Sequence, residues 1–159
     1  MAAPPRGNTG CSVYFITAST FQRRPLFRKE AIARLFLEIL FHYRDKRNYF
    51  LHEFVLMPDN FHLLVSPSLS LETSLQLIKG GFSYRAKREL EHSGEIWQLS
   101  YYDRRVRDME DYCNFRYYIR RNPVKRGLAE TPEQYRYSSG HPGFVLDEVP
   151  ERLKVTLTA

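Results

Sequence analysis

Two short stretches of this chain carry side chains whose types and spacing suit chemistry. The first, LMPDNFHLLVSP (Leu56 to Pro67), sets His62 in an apolar run just after a Pro-Asp turn, with Asn60 two residues earlier. Strand side chains alternate between faces, so Phe61, Leu63 and Val65 share one face while Asn60, His62 and Leu64 share the other. An imidazole beside an amide suits half of a metal site, and it equally suits a hydrogen-bonded structural histidine. The second stretch, NFRYYIRRNP, repeats Asn114, Tyr118 and Asn122 every four residues, which lines a phenol and two amides along one side of a helix. Arg116 and Arg120 have the same spacing and could clamp phosphates, while Met109, Tyr112 and Ile119 form a stripe for burial. A packed aromatic at Tyr118 and a helix cap at Asn122 would give the same pattern.

The elements that must position these residues follow from periodicity. Ser12 to Ser19 is β-branched and aromatic and reads as a strand, and Lys29 to Lys46 repeats apolar residues at helical spacing. Tyr49 to Met57 and Asn60 to Ser66 read as a hairpin turning through Pro58 and Asp59. Helical spacing returns from Leu71 to Leu90, with Gly80 and Gly81 as the place for a bend. IWQLSYYDRRVR reads as strand-like with an irregular edge. The next helix opens on an Asp108 cap and closes at Pro123. Beyond it a turn-rich segment wraps the domain, and the last 16 residues show weak strand character. This β-α-β-β-α-β-α order predicts an α+β fold, a ferredoxin-like sandwich whose antiparallel sheet carries helices on one face and the active site on the other.

The 159 residues suit one domain, expected over residues 11–140, after a loose tail at 1–10 and before a C-terminal extension at 141–159. No apolar stretch is long enough to span a bilayer, and MAAPPRGNTG lacks the apolar centre of a secretory signal, so a cytoplasmic protein is expected. Cys11 and Cys113 are too few for a disulfide framework or a zinc knuckle. The net charge of +6 points to a polyanionic partner. Arg85 to Arg126 concentrates that charge, with 11 Lys and Arg against 7 Asp and Glu. It also holds Trp97, Tyr101, Tyr102, Tyr112, Tyr117 and Tyr118, the interleaving of a groove that follows a nucleic-acid backbone and stacks bases. A solvated basic face over core aromatics has the same composition.

These stretches also carry a resemblance. VLMPDNFHLLVSP resembles the M-P-x-H-x-H-L-L signature of the single-tyrosine HUH transposases. YYIRRNPVKRGL is similar to the Y-I-x-x-N-P-V-x-x-G-L segment of their REP-associated branch, and IWQLSYYDRRVRD resembles that branch's W-Q-x-x-Y-x-D-x-x-I-R-D element. The three occur in the family's order, within a match from about Tyr14 to Ser139.

The resemblance implies a protein that binds single-stranded DNA with a hairpin and cuts it through a tyrosine hydroxyl, leaving a 5′-phosphotyrosine and a 3′-OH, with Mg²⁺ or Mn²⁺ polarising the phosphate. Tyr118 matches the nucleophile, with Tyr117 as its rival about 100° round the helix. The implied metal positions are 60, 62 and 122, so His62 and Asn122 match, and Asn60 stands where the family has a histidine. Arg104, Arg105, Arg116, Arg120, Arg121, Lys125 and Arg126 are the expected DNA contacts. Relatives include helix-exchanging dimers and monomers, and the long tail after the tyrosine helix favours a monomer. Asn60 separates an active nicking transposase from a hairpin-binding relic. A third reading, an RNA-recognition module, rests on KGGFSY (Lys79 to Tyr84) as an aromatic strand motif.

Overall fold

The computed structural model describes residues 12–155. The expected tail at 1–10, Cys11 and the end of the C-terminal extension lie outside the described residues. Strand β1 (Tyr14–Ser19) leads into helix α1 (Glu30–Asp45), hairpin β2 (Tyr49–Met57) and β3 (Asn60–Pro67), helix α2 (Leu71–Glu89), edge strand β4 (Tyr102–Arg105) and helix α3 (Met109–Lys125). The sheet is antiparallel throughout in the order β2-β3-β1-β4, the ferredoxin-like arrangement expected from the element order.

Alternation along the strands sorts the side chains into two cores. Ile16, Ala18, Leu56, Phe61, Leu63 and Val65 pack with α1 and α2 on one face. Phe15, Val55, Met57 and Leu64 pack with Tyr112 and Ile119 of α3 on the other. The two crossover helices therefore share a face, as expected, and α3 stands opposite them on the site face. A bulge in β2 between Leu51 and Glu53 shifts the alternation and aims Glu53 towards α3.

Helix α2 opens with Ser70 Oγ accepting the Thr73 N–H (3.1 Å) and runs unbroken through Gly80 and Gly81, without the expected bend. A Cβ at Gly81 would meet Tyr43 Cε2 at 3.0 Å, so that glycine serves the close approach of α1. KGGFSY therefore lies on a helix, which removes the strand on which the RNA-recognition reading depends.

In α3 the Asp108 carboxylate accepts the Asp111 N–H (2.8 Å), the expected cap. Pro123 does not end the helix. Burial of Asn122 and Pro123 overrides the local preference of a pre-proline residue, and the helix continues to Lys125. Its last carbonyls are met by the N–H groups of Arg126 (to Asn122, 3.0 Å) and Leu128 (to Pro123, 2.8 Å), with Gly127 at φ 74° making the left-handed turn.

The segment after α3 wraps the domain as expected. It lies along the outer edge of β2, where Tyr137 O accepts the Leu56 N–H and Phe54 O accepts the Ser139 N–H, both at 2.8 Å. An edge paired in this way is closed to other chains. Further on, Phe144 stacks on Phe41, and the Asp147 carboxylate accepts from Arg44 (2.8 and 3.0 Å) and from the Leu51 N–H (2.8 Å). Strand character is not what ends the described chain: Glu151–Val155 forms a short helix, α4, because burying Leu153 in the second core needs an amphipathic turn.

Candidate active site

The sheet and α3 enclose a solvent-open cleft of about 450 Å³. Register builds its floor: Tyr102 of β4 lies opposite Thr17 of β1, and Thr17 lies opposite His62 of β3, while Ser19 lies opposite Asn60. Tyr118 and Asn122, one turn apart on α3, form a wall, and Lys125, Arg126 and Arg23 add three cations to the lining. Asn60, His62 and Asn122 are 3, 6 and 6% exposed, whereas Tyr118 is 43% exposed, so a buried polar floor faces an accessible phenol.

The Tyr118 ring meets His62 edge-on, with centroids 5.2 Å apart, and also meets Phe15 at 5.8 Å. Phe15 is in turn stacked between His62 and Phe115, which fixes the height of α3 above the strands. Tyr117 is 67% exposed and lines a different groove, with Arg116, Arg120 and Arg121. Asn114, expected on the side of Tyr118, is exposed and does not line the cleft.

The expected DNA-contacting cations separate into groups. Lys125 and Arg126 reach the cleft, Arg116 and Arg121 line the Tyr117 groove, and Arg104 and Arg105 lie exposed on edge strand β4. Arg120 lines the Tyr117 groove too, half-exposed, and its guanidinium is ion-paired. Its Nε and Nη2 donate to the Glu53 carboxylate at 2.8 and 3.0 Å, and Ser139 Oγ donates to the same group at 2.6 Å. Glu53 is 4% exposed, so charge neutralisation of a buried carboxylate claims this arginine. Of the aromatics, Trp97 and Tyr101 pack against the first core and Tyr112 is buried in the second, leaving Tyr102, Tyr117 and Tyr118 accessible. Sequence reading missed Thr17, Ser19 and Arg23, which reach the cleft through strand register and a turn that no local pattern signals.

A family model described as "Transposase IS200 like" matches residues 10–122. The chain belongs to this transposase family. Over 108 residues it is 29% identical to a Haemophilus influenzae protein named as a REP-associated tyrosine transposase, covering 60% of this chain and 61% of that one. The chain thus spans about three-fifths of that relative's length. Among solved structures, a REP-associated tyrosine transposase bound to a REP hairpin aligns at a TM-score of 0.72, with 19% identity over 87% of this chain and 82% of that one. A Deinococcus radiodurans protein described as a transposase aligns at 0.50, with 21% identity over 67% of this chain and 87% of its own. At these identities the structures share the transposase fold.

Whether the floor suits the divalent cation implied by the resemblance can be judged from its donors. Asn60 Nδ2 donates to Asp59 Oδ1 at 2.7 Å, which fixes the amide's orientation because a carboxylate can only accept. Asn60 Oδ1 is then buried without a protein partner, an arrangement natural proteins rarely tolerate unless something else fills it. His62 Nδ1 is paired with Thr17 Oγ1 at 2.7 Å, leaving Nε2 as its other donor atom. Burial, helped by Arg126 and Arg23, pulls the His62 imidazole down to about 4, so it is neutral at pH 7. One imidazole and two amide oxygens suit Mg²⁺ or Mn²⁺ in donor type, but they bring no negative charge. Among the described residues no three His, Cys, Asp or Glu side chains cluster for a metal, so a DNA phosphate would have to supply the charge.

Burial also pulls down His52, whose ring contacts Ser66 Oγ (2.8 Å) and Asp147 O (3.0 Å). Between pH 6.5 and about 4 the unfolded chain takes up protons that the folded chain refuses. Stability is therefore fully present above about pH 6.5 and is lost as the pH falls through that window, by about 3 kcal/mol for His62 alone. Urea midpoints of the metal-free protein should fall across this range, and the slope should lessen in His62→Gln. A flat profile would contradict the buried neutral imidazole.

Among the described residues no helix is long and apolar enough to cross a membrane.

Proposed function

We propose that this transposase-family protein binds single-stranded DNA beside a hairpin and cuts and rejoins it through Tyr118. The observation carrying this reading is the accessible Tyr118 phenol edge-on to His62 in a cleft lined by three cations. The REP hairpin held by a structural neighbour supports the choice of DNA.

The Tyr118 oxygen forms a bond to phosphorus as the bond from phosphorus to the 3′-oxygen breaks. The phenol gives up its proton and the departing 3′-oxygen takes one up, leaving a 3′-OH and a 5′-phosphotyrosine. Because the ester is kept, a 3′-OH can later attack it and restore both DNA and tyrosine, which attack by water would not allow. Arg23, Lys125 and Arg126 hold the phosphodiester by charge. His62 Nε2, Asn122 and Asn60 Oδ1 would hold Mg²⁺ or Mn²⁺, which when bound withdraws electron density from the phosphate. The Arg120–Glu53 pair ties α3 to the sheet of its own chain, which supports a monomer over a helix-exchanging dimer as the working unit.

The second reading, a hairpin-binding relic, is favoured by one observation: residue 60 offers an amide where the family has an imidazole. A labelled hairpin with a single-stranded foot, incubated with Mn²⁺, distinguishes the two. The nicking account expects a covalent protein–DNA product from the natural chain, with Asn60→His changing its yield by no more than about tenfold. Binding without product in both proteins would leave the relic, and product from Asn60→His alone would mean that residue 60 had disabled the site.

A further inference from the structure

We infer that Asp59, braced by Arg23, is a positioning residue that turns Asn60 into an oxygen donor towards the cleft, giving a site that favours Mg²⁺ more than a two-histidine site would. The inference rests on the proposed function above, in which this cleft takes a divalent cation together with a DNA phosphate.

Asp59 itself does not line the cleft. Its carboxylate nevertheless bridges two residues that do. Oδ1 accepts from Asn60 Nδ2 at 2.7 Å and Oδ2 accepts from Arg23 Nε at 3.1 Å. The Asp59 side chain is 15% exposed, which limits competition from water. Its backbone is pinned as well, since Asp59 O accepts from the Thr20 N–H (3.0 Å).

Arg23 reaches this position through strained backbone. Gln22 and Arg23 sit at φ 54° and 55°, a left-handed region that side-chain-bearing residues seldom adopt, and here they occupy it in succession. Strain of this kind persists where surrounding contacts hold it.

The consequence for Asn60 is a definite polarity. Rotating its amide by half a turn would set Oδ1 against the Asp59 carboxylate and send Nδ2, which cannot bind a cation, towards the cleft. The bridge prevents this and leaves Oδ1, buried and without a protein partner, as the atom of this cleft-lining residue left for a cation. A histidine needs no such control, because a tautomer shift offers either ring nitrogen. An amide oxygen is also a harder donor than imidazole, so the substitution moves the site from Mn²⁺ towards Mg²⁺.

The test is a double-mutant cycle in the Tyr118→Phe background, where hairpin DNA stays uncut and activity is not the readout. Mn²⁺ binding in the presence of DNA is followed by electron paramagnetic resonance, with Mg²⁺ as competitor. Asp59→Ala should weaken Mn²⁺ binding about tenfold with Asn60 present and have little effect with Asn60→His. Asp59→Asn, whose amide oxygen can still accept from Asn60, should retain most of the affinity and guards against a folding defect. Asn60→His should raise the preference for Mn²⁺ over Mg²⁺ severalfold. Equal losses from Asp59→Ala in both backgrounds, or no loss in either, would overturn the positioning role. Binding by Asn60→His but not by the parent would overturn this inference alone, whereas no binding by any variant would overturn the metal-assisted reading with it.

Discussion

Replacing Tyr118 with phenylalanine should lower the yield of covalent protein–DNA product by about 10⁴-fold or more, the scale on which removal of a nucleophile acts. Hairpin affinity should stay within about twofold, because the phenyl ring preserves the contacts with His62 and Phe15. Tyr117→Phe should leave the product yield unchanged. The neighbouring tyrosine is the more exposed of the two, but it opens on the groove of Arg116 and Arg121, away from the buried amides and the imidazole. Exposure alone would favour Tyr117; the buried polar floor beneath the Tyr118 phenol is what supports Tyr118 in the proposed reading. Gel-shifted adduct, measured for both variants under one set of conditions, checks the pair, and adduct surviving in Tyr118→Phe would move the chemistry to Tyr117.

The second large effect belongs to Arg120. As a phosphate clamp, its loss would weaken DNA binding and lower the salt dependence by about one counterion, with stability untouched. The ion pair with buried Glu53 predicts a loss of stability as well. Arg120→Ala leaves the Glu53 carboxylate buried with Ser139 Oγ as its remaining side-chain donor. Folding stability should drop by about 2 to 3 kcal/mol, at the low end for a buried pair because the arginine itself is 42% exposed. Replacing both partners with methionine should recover much of that loss, since an apolar pair leaves no charge stranded. Arg126→Ala should differ, with near-normal stability and a shallower salt dependence. Urea unfolding and salt-titrated hairpin binding on these variants separate the two roles.

The contrast between these residues marks how far the sequence could be read. Alternation in β3 was legible because one face is uniformly apolar, so Phe61, Leu63 and Val65 separate from Asn60 and His62 without reference to the rest of the chain. Four-residue spacing likewise joined Tyr118 to Asn122. The same spacing did not reveal the ion pair of Arg120 or keep Asn114 at the cleft, since it reports which side of a helix a residue occupies and not what lies opposite. The partner of Arg120 is 67 positions away and faces it because of the β2 bulge. Pro123 misled for a related reason: its local preference to end a helix yields to the burial of Asn122 and Pro123 against the domain. Asn60 is the subtler case. Its identity announced a departure from the family, but whether it turns an oxygen or a nitrogen to the cleft depends on the carboxylate of its sequence neighbour, a matter of rotamer and not of pattern.

The most direct measurement of the central claim is peptide mapping of the covalent product by tandem mass spectrometry, after incubation of the unaltered chain with a hairpin bearing a single-stranded foot and Mg²⁺ or Mn²⁺. The account predicts a nucleotide joined through its 5′-phosphate to the peptide containing Tyr118, with the released strand ending in a 3′-OH. Modification of Tyr117, or hairpin binding without any modified tyrosine, would contradict it.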